Sequence, residues 1–355
     1  MTRPTYAHID PAALRHNLSI ARKHAGDARV MAVAEANGYG HDIKVRAAAL
    51  AEADGFAVAS LDEAVALRDC GCNKPVLLLE GIFDAEEIAP CSAYKLSIVI
   101  HNREQINLLR TAKLAEPVPV FLKLNSGMNR LGFTPQDFKP ALADLKAMPM
   151  LRDITLMSHF ATADDDHGIS GQLETIQSCF NGLPYPASLA NSAALFRYPA
   201  SQGQWVRPGI ALYGATPFPD QTAAGLGLLP AMTLHSRIIA TQTLARGMPL
   251  GYGRLWVADK PSRIGVVACG YADGYPRHAA TGTPILVDGQ RTRIVGRVSM
   301  DMLFADLTEL PAAGVGSQVI LWGKDLPVEL IAESAGTINY ELLCARAARV
   351  GLRDL

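Results

Sequence analysis

The stretch AVAEANGYGH, residues 32–41, carries an apolar run straight into Glu35, Asn37, Tyr39 and His41. A carboxylate, a phenol and an imidazole are proton-transfer groups when they share a pocket. The same texture recurs further on, where β-branched runs close on Ser60, Glu80, His101, Lys123 with Asn125, His159, Asn191 with Ser192, and Arg207 with Gly209. Taken singly, each such residue reads as the start of a solvated loop. Crowded into one mouth, charges of this kind are costly unless they bind one another or a ligand. In ANSAALF and VRPGIALYG, Ser192 supplies a hydroxyl beside a helix start and Gly209 lets main chain approach closely. That combination suits a phosphate monoester, with a simple helix cap and a turn glycine as the plainer reading. Tyr271, between glycines in ACGYADGYPR, reads either as a turn aromatic or as an acid–base group.

Strands and helices in alternation must position these residues. YAHID, RVMAVAE, GFAVAS, PVLLLE, LSIVI, PVFLKLN, ITLMSHF and SLANS are short strand-like runs, each followed by an amphipathic stretch. Eight strand–helix units with no hairpin signal between them predict a (β/α)8 barrel of the TIM type over residues 1–228. An open doubly wound sheet is the alternative, but the first strand runs into IDPAALRH and lacks a glycine-rich fingerprint. Asp10 with Pro11, Asp62, Asp84, Asn102, and Thr134 with Pro135 stand where helices should begin. In such a barrel the strand-closing residues converge on the C-terminal mouth. From residue 229 to 355 the texture becomes strands with turn punctuation, including Asp288-Gly289 as a two-residue hairpin signal, and one or two closing helices. A second, mainly β domain is expected there.

The 355 residues are 49% hydrophobic and 19% charged, with a net charge of −1 and no basic run. That composition points to small-molecule chemistry, with neither nucleic acid nor membrane as partner. Without an apolar signal core, the expectation is a cytoplasmic protein. Six scattered cysteines are expected to be reduced packing residues, and no metal site is suggested.

Along the whole chain, ANGYGH, LKLNSGMNRLGF, MSHF, ANSAALF, VRPGIALYG, GYADGYPR, GRVSMD and TINYELLC occur in the order seen in the alanine racemase family, which the sequence resembles. The resemblance implies pyridoxal 5'-phosphate as cofactor, L- and D-alanine as substrates, and a homodimer with shared active sites. It implies that Tyr39, Ser192, Gly209, Ile210 and Tyr340 surround the phosphate, and that Arg207, held by His159, faces the pyridine nitrogen. Tyr271 is implied as a catalytic base reaching the cofactor of the partner subunit, with Arg130 and the partner's Met300 on the substrate carboxylate. Lys123 matches the lysine that is carbamylated in many relatives.

Glu35 departs from that pattern, because its position in the family is the lysine that forms the Schiff base and acts as second base. A carboxylate forms no imine, although a buried one can accept a proton. Lys44, about nine residues on, is expected to point away from the strand end. The resulting expectation is an alanine racemase impaired at one residue. Two alternatives are an inactive cofactor-binding homologue and an enzyme using Glu35 as base on a noncovalently held adduct.

Overall fold

The computed structural model describes residues 3–43, 47–112, 114 and 116–354. Contacts divide the chain into two compact units, Arg15–Leu212 with Pro217–Thr222, and Met1–Leu14 with Tyr213–Thr216 and Ala223–Leu355.

The first unit is a closed barrel of eight parallel strands, β2 (Arg29–Val33), β3 (Gly55–Val58), β4 (Val76–Leu78), β5 (Leu96–Ile100), β6 (Val118–Lys123), β7 (Leu151–Met157), β8 (Ala187–Ser188) and β9 (Trp205–Val206). Pairing of Arg29 with Trp205 closes it. Its strands read as apolar runs because both faces are covered; every residue of β3, β4 and β5 is buried. The helices start where the capping residues predict. Asn102 accepts from Gln105 N–H and Thr134 from Asp137 N–H, with Pro135 in the first turn. The helix Leu61–Asp69 is capped by Ser60, and Asp62 sits in its first turn.

One strand expected in the barrel lies elsewhere. Tyr6–Ile9, here β1, pairs antiparallel with β10 (Met232–Leu244) and parallel with β18 (Gly351–Asp354) in the second unit. Its burial alternates residue by residue, as in a strand covered on one face. The barrel is completed instead by β9, two residues long, immediately before Arg207.

The second unit is an eight-stranded sheet in which β15, β14, β17, β10, β1 and β18 lie in that order, with β13 joining β10 to β16. Here β13 is Ser262–Val267, β14 Pro284–Val287, β15 Gln290–Arg293, β16 Leu303–Asp306 and β17 Gln318–Trp322. The β14–β15 hairpin turns on Asp288 and Gly289, both at positive φ, as the Asp-Gly signal predicts. Both candidate closing helices form, Val328–Ala335 and Asn339–Cys344. Of the six free cysteines, Cys91, Cys179 and Cys269 are buried, whereas Cys70 and Cys344 are exposed rather than packed. Among the described residues no helix is long and apolar enough to cross a membrane, and no cluster of acidic, His and Cys side chains could hold a metal.

Candidate active site

Immediately after β2 the chain makes a left-handed turn. Ala36, Asn37, Gly38 and Tyr39 all have φ between 51° and 65°, a conformation that costs about 1–2 kcal/mol for each non-glycine residue. Side chains compensate. Glu63, from the helix after β3, accepts from the N–H of Asn37 (3.0 Å) and of Ala59 (3.0 Å). Asn37 Oδ1 accepts from Ile43 N–H (3.1 Å), and the buried His41 ring sits 2.7 Å from the Tyr39 carbonyl oxygen. Asn37 and His41 thus hold the turn, while Glu35 and Tyr39 face the site. Glu63 was not among the expected residues; its signal was the Ser60-x-x-Glu63 spacing of a capping box, here bent to serve a neighbouring turn.

At the adjoining closing strands, Asn191 rather than Ser192 caps the helix Ser192–Arg197, which leaves the buried Ser192 hydroxyl for other work. Ser192 Oγ accepts from Gly209 N–H (2.9 Å) and, more weakly, from Ala211 N–H (3.5 Å). A Cβ at position 209 would lie 2.4 Å from the Tyr39 hydroxyl, so any side chain there would push the phenol aside. Tyr39, Ser192, Gly209 and the buried Ile210 are therefore brought together.

Arg207 is 3% exposed and spends its donors on Ser188 Oγ (2.7 Å), the Ser158 and Leu189 carbonyl oxygens (2.9 and 3.3 Å) and His159 Nδ1 (3.4 Å). Burial lowers its pKa to about 10, so it stays protonated at neutral pH. Burial, then the charges of Arg207, Lys123 and Arg130, hold His159 well below the usual imidazole range. A neutral imidazole accepting through Nδ1 must carry its proton on Nε2.

Lys123 ends β6 and is 6% exposed; burial, then Arg207 and Arg130, lower its pKa to about 8, against the pull of Glu80 and Glu35. After it the chain folds back, with Asn125 Oδ1 accepting from Gly127 and Asn129 N–H and Leu124 bridging Phe133. That loop presents Arg130 at its exposed tip. Glu35 is half-buried; burial raises its pKa, the Tyr39 hydroxyl donating at 3.3 Å lowers it, and the Glu63 charge raises it. Glu80 and His101 line a further cleft of about 190 Å3, in which His101 Nε2 lies 2.9 Å from the Glu80 carbonyl oxygen, while the Glu80 charge still reaches Lys123 and Glu35. Lys44 lies outside the described residues.

Tyr271, Met300 and Tyr340 belong to the second unit. Tyr271 and Ala272 donate N–H bonds to the Ser299 and Met300 carbonyls, an approach so close that a Cβ on Gly270 would lie 2.2 Å from the Ser299 oxygen. Asp273 clamps this turn, accepting from Gly270 N–H (2.9 Å), Arg3 (3.0 Å) and Arg349 (2.8 Å). The outcome is a pair of exposed side chains, Tyr271 at 40% and Met300 at 54%. Tyr340 is half-buried in the helix Asn339–Cys344.

The alanine racemase N-terminal domain model matches residues 9–217 and the C-terminal domain model residues 231–353. The chain belongs to the alanine racemase family. It is 55% identical over 353 residues to the alanine racemase of Nitrosospira multiformis, covering 99% of both chains. With that of Thiobacillus denitrificans it shares 56% over 353 residues, covering 99% of this chain and 96% of the other. The biosynthetic alanine racemase of Pseudomonas aeruginosa superposes with a TM-score of 0.97 at 46% identity and complete coverage of both chains. The Bacillus anthracis enzyme, solved with bound L-Ala-P, gives 0.86 at 29% identity, covering 100% of this chain and 96% of that one.

Alanine racemase family enzymes use pyridoxal 5'-phosphate. In the barrel mouth, the Ser192 hydroxyl, the Gly209 amide and the Tyr39 phenol form a cradle that any side chain at 209 would fill, which fits a phosphate. Arg207 is a buried, fixed guanidinium. At position 35 a carboxylate stands where the resemblance calls for an amine.

Proposed function

We propose that this chain holds pyridoxal 5'-phosphate in the barrel mouth and interconverts L- and D-alanine, at a rate depressed by Glu35. The cradle of Ser192, Gly209 and Tyr39 is the observation that carries this reading. When bound, the cofactor supplies an electron sink for the Cα–H bond of the amino acid. Arg207 keeps its own proton and would donate it as a hydrogen bond to the ring nitrogen, which would leave that nitrogen uncharged and temper the sink. His159, neutral, absorbs one remaining Arg207 donor and fixes its plane. Ile210 closes the phosphate end, and Arg130 orients the substrate carboxylate together with the partner subunit's Met300.

Tyr271 of the partner subunit moves a proton on one face of Cα. Its exposure beside Met300, on a turn clamped by Asp273, supports a role toward a second copy in a homodimer. Glu35 can take or return a proton on the other face, aided by its raised pKa, but offers no nitrogen to the aldehyde. Loss of one acid–base group alone lowers rate by about 10²–10⁴-fold. A cytoplasmic homodimer working on a free amino acid, with no membrane or nucleic-acid partner, completes the reading.

The test incubates the chain with saturating pyridoxal phosphate and L-alanine and follows D-alanine through a D-amino-acid oxidase. Slow formation of D-alanine is expected, with Ser192→Ala requiring roughly tenfold more cofactor, as one lost hydrogen bond implies. Cofactor uptake with no D-alanine after prolonged incubation favours the second reading, a binding homologue without turnover. Absence of any uptake overturns both.

A further inference from the structure

Ten lysines occur in the chain, and among the described ones Lys123 alone is buried, the rest standing exposed on the surface. Lys123 closes β6, four strands round the closed barrel from β2, so it faces position 35 across the mouth. In an eight-stranded barrel, side chains from opposite walls meet in the middle. Lys123 shares a small cleft with Asn125, Arg130 and His159, and the charges of Arg207, Arg130, Glu80 and Glu35 reach it there. Among the described residues that amine has no hydrogen bond and no carboxylate within ion-pair distance, and it keeps contact with the open mouth.

An unpaired buried amine is unstable unless it loses its proton or finds a partner. An aldehyde is a partner that rewards proton loss.

We propose that Lys123 is the residue of this chain that bonds the aldehyde carbon of pyridoxal phosphate, from the wall opposite Glu35. The inference rests on the reading that the barrel mouth binds this cofactor. The neutral amine adds to the aldehyde carbon; a carbon–nitrogen double bond forms, and the carbonyl oxygen departs as water with the two amine hydrogens. No oxidant or reductant is required. The lowered pKa of Lys123, about 8, puts an appreciable neutral fraction at physiological pH, whereas the exposed lysines have no such burial. Uptake of carbon dioxide draws on the same neutral amine, so carbamylation and aldehyde capture at Lys123 exclude one another. The cofactor is then tethered without returning an amine to position 35.

The experiment treats the full chain with one equivalent of pyridoxal phosphate, reduces it with borohydride, and maps the phosphopyridoxyl group by peptide mass spectrometry. The expected result is one group, on the peptide containing Lys123, diminished when bicarbonate is present during loading. In Lys123→Met the group is lost while cofactor uptake by equilibrium dialysis persists. A label on Lys44 or any other lysine overturns the proposal, as does firm uptake with no label. Mapping on the unsubstituted chain makes the result independent of how Lys123→Met folds. A chain that takes up no cofactor overturns the underlying reading as well, whereas uptake without a Lys123 label overturns this proposal alone.

Discussion

At the closing strands of the barrel, Ser192 receives two main-chain N–H groups and Arg207 distributes four donor contacts over Ser188, Ser158, Leu189 and His159. Elsewhere in the mouth, Glu35, after the neighbouring β2, takes one hydrogen bond of 3.3 Å, and Lys123, at the end of β6, makes none among the described residues. The first arrangement is satisfied and rigid, and on the proposed function it serves the invariant parts of the ligand, its phosphate and ring nitrogen. The second holds a carboxylate and an amine whose burial pushes both toward their neutral forms. On the proposed function, binding and bond-making are thus divided between two sets of residues in one mouth, and a change at position 35 alters the second while leaving the first standing.

Three substitutions sharpen that contrast. Removing Glu63 should cost most, because two charge-assisted bonds to the Asn37 and Ala59 amides vanish and the left-handed turn loses its anchor. Glu63→Ala is expected to lower unfolding free energy by roughly 3 kcal/mol in urea titrations and to weaken cofactor affinity through Tyr39, with Glu63→Gln milder. Unchanged stability would mean that the turn supports itself.

Lys123→Met should act in the opposite direction. The folded pKa of about 8 lies below the ordinary 10.5, so the unfolded chain holds the proton more tightly. The penalty is therefore full below about pH 8 and fades as pH rises toward 10.5. Lys123→Met is expected to gain up to about 3 kcal/mol at pH 7 and little at pH 10.5, read from unfolding curves at both values.

Gly209→Ala tests the satisfied set. Its Cβ would meet the Tyr39 hydroxyl, and overpacking of about 1–3 kcal/mol predicts a roughly 10–100-fold weaker affinity for pyridoxal phosphate. Affinity for pyridoxal, which lacks the phosphate, should change far less.

Much of this was legible beforehand. Buried apolar runs and helix caps marked seven of the barrel strands, and Asp288-Gly289 marked its hairpin. Tyr6–Ile9 was misplaced because a four-residue strand followed by a capped helix looks alike in either unit, although its alternation of half-buried and buried residues fits a one-sided sheet. The two-residue β9 is too short to carry a pattern. Tyr39, Ser192, Gly209 and Arg207 were legible as motif residues. Glu63 and the isolation of Lys123 were not, since each depends on which strand ends meet across the mouth, a relation that spacing along the chain does not encode.

The central claim is that one residue separates this mouth from a fast racemase. Glu35→Lys, assayed for D-alanine formation from L-alanine with saturating pyridoxal phosphate beside the unsubstituted chain, is its most direct test. An increase of about 10²–10⁴-fold or more is expected. A Glu35→Lys protein that binds the cofactor firmly yet racemises alanine no faster than its parent would contradict it.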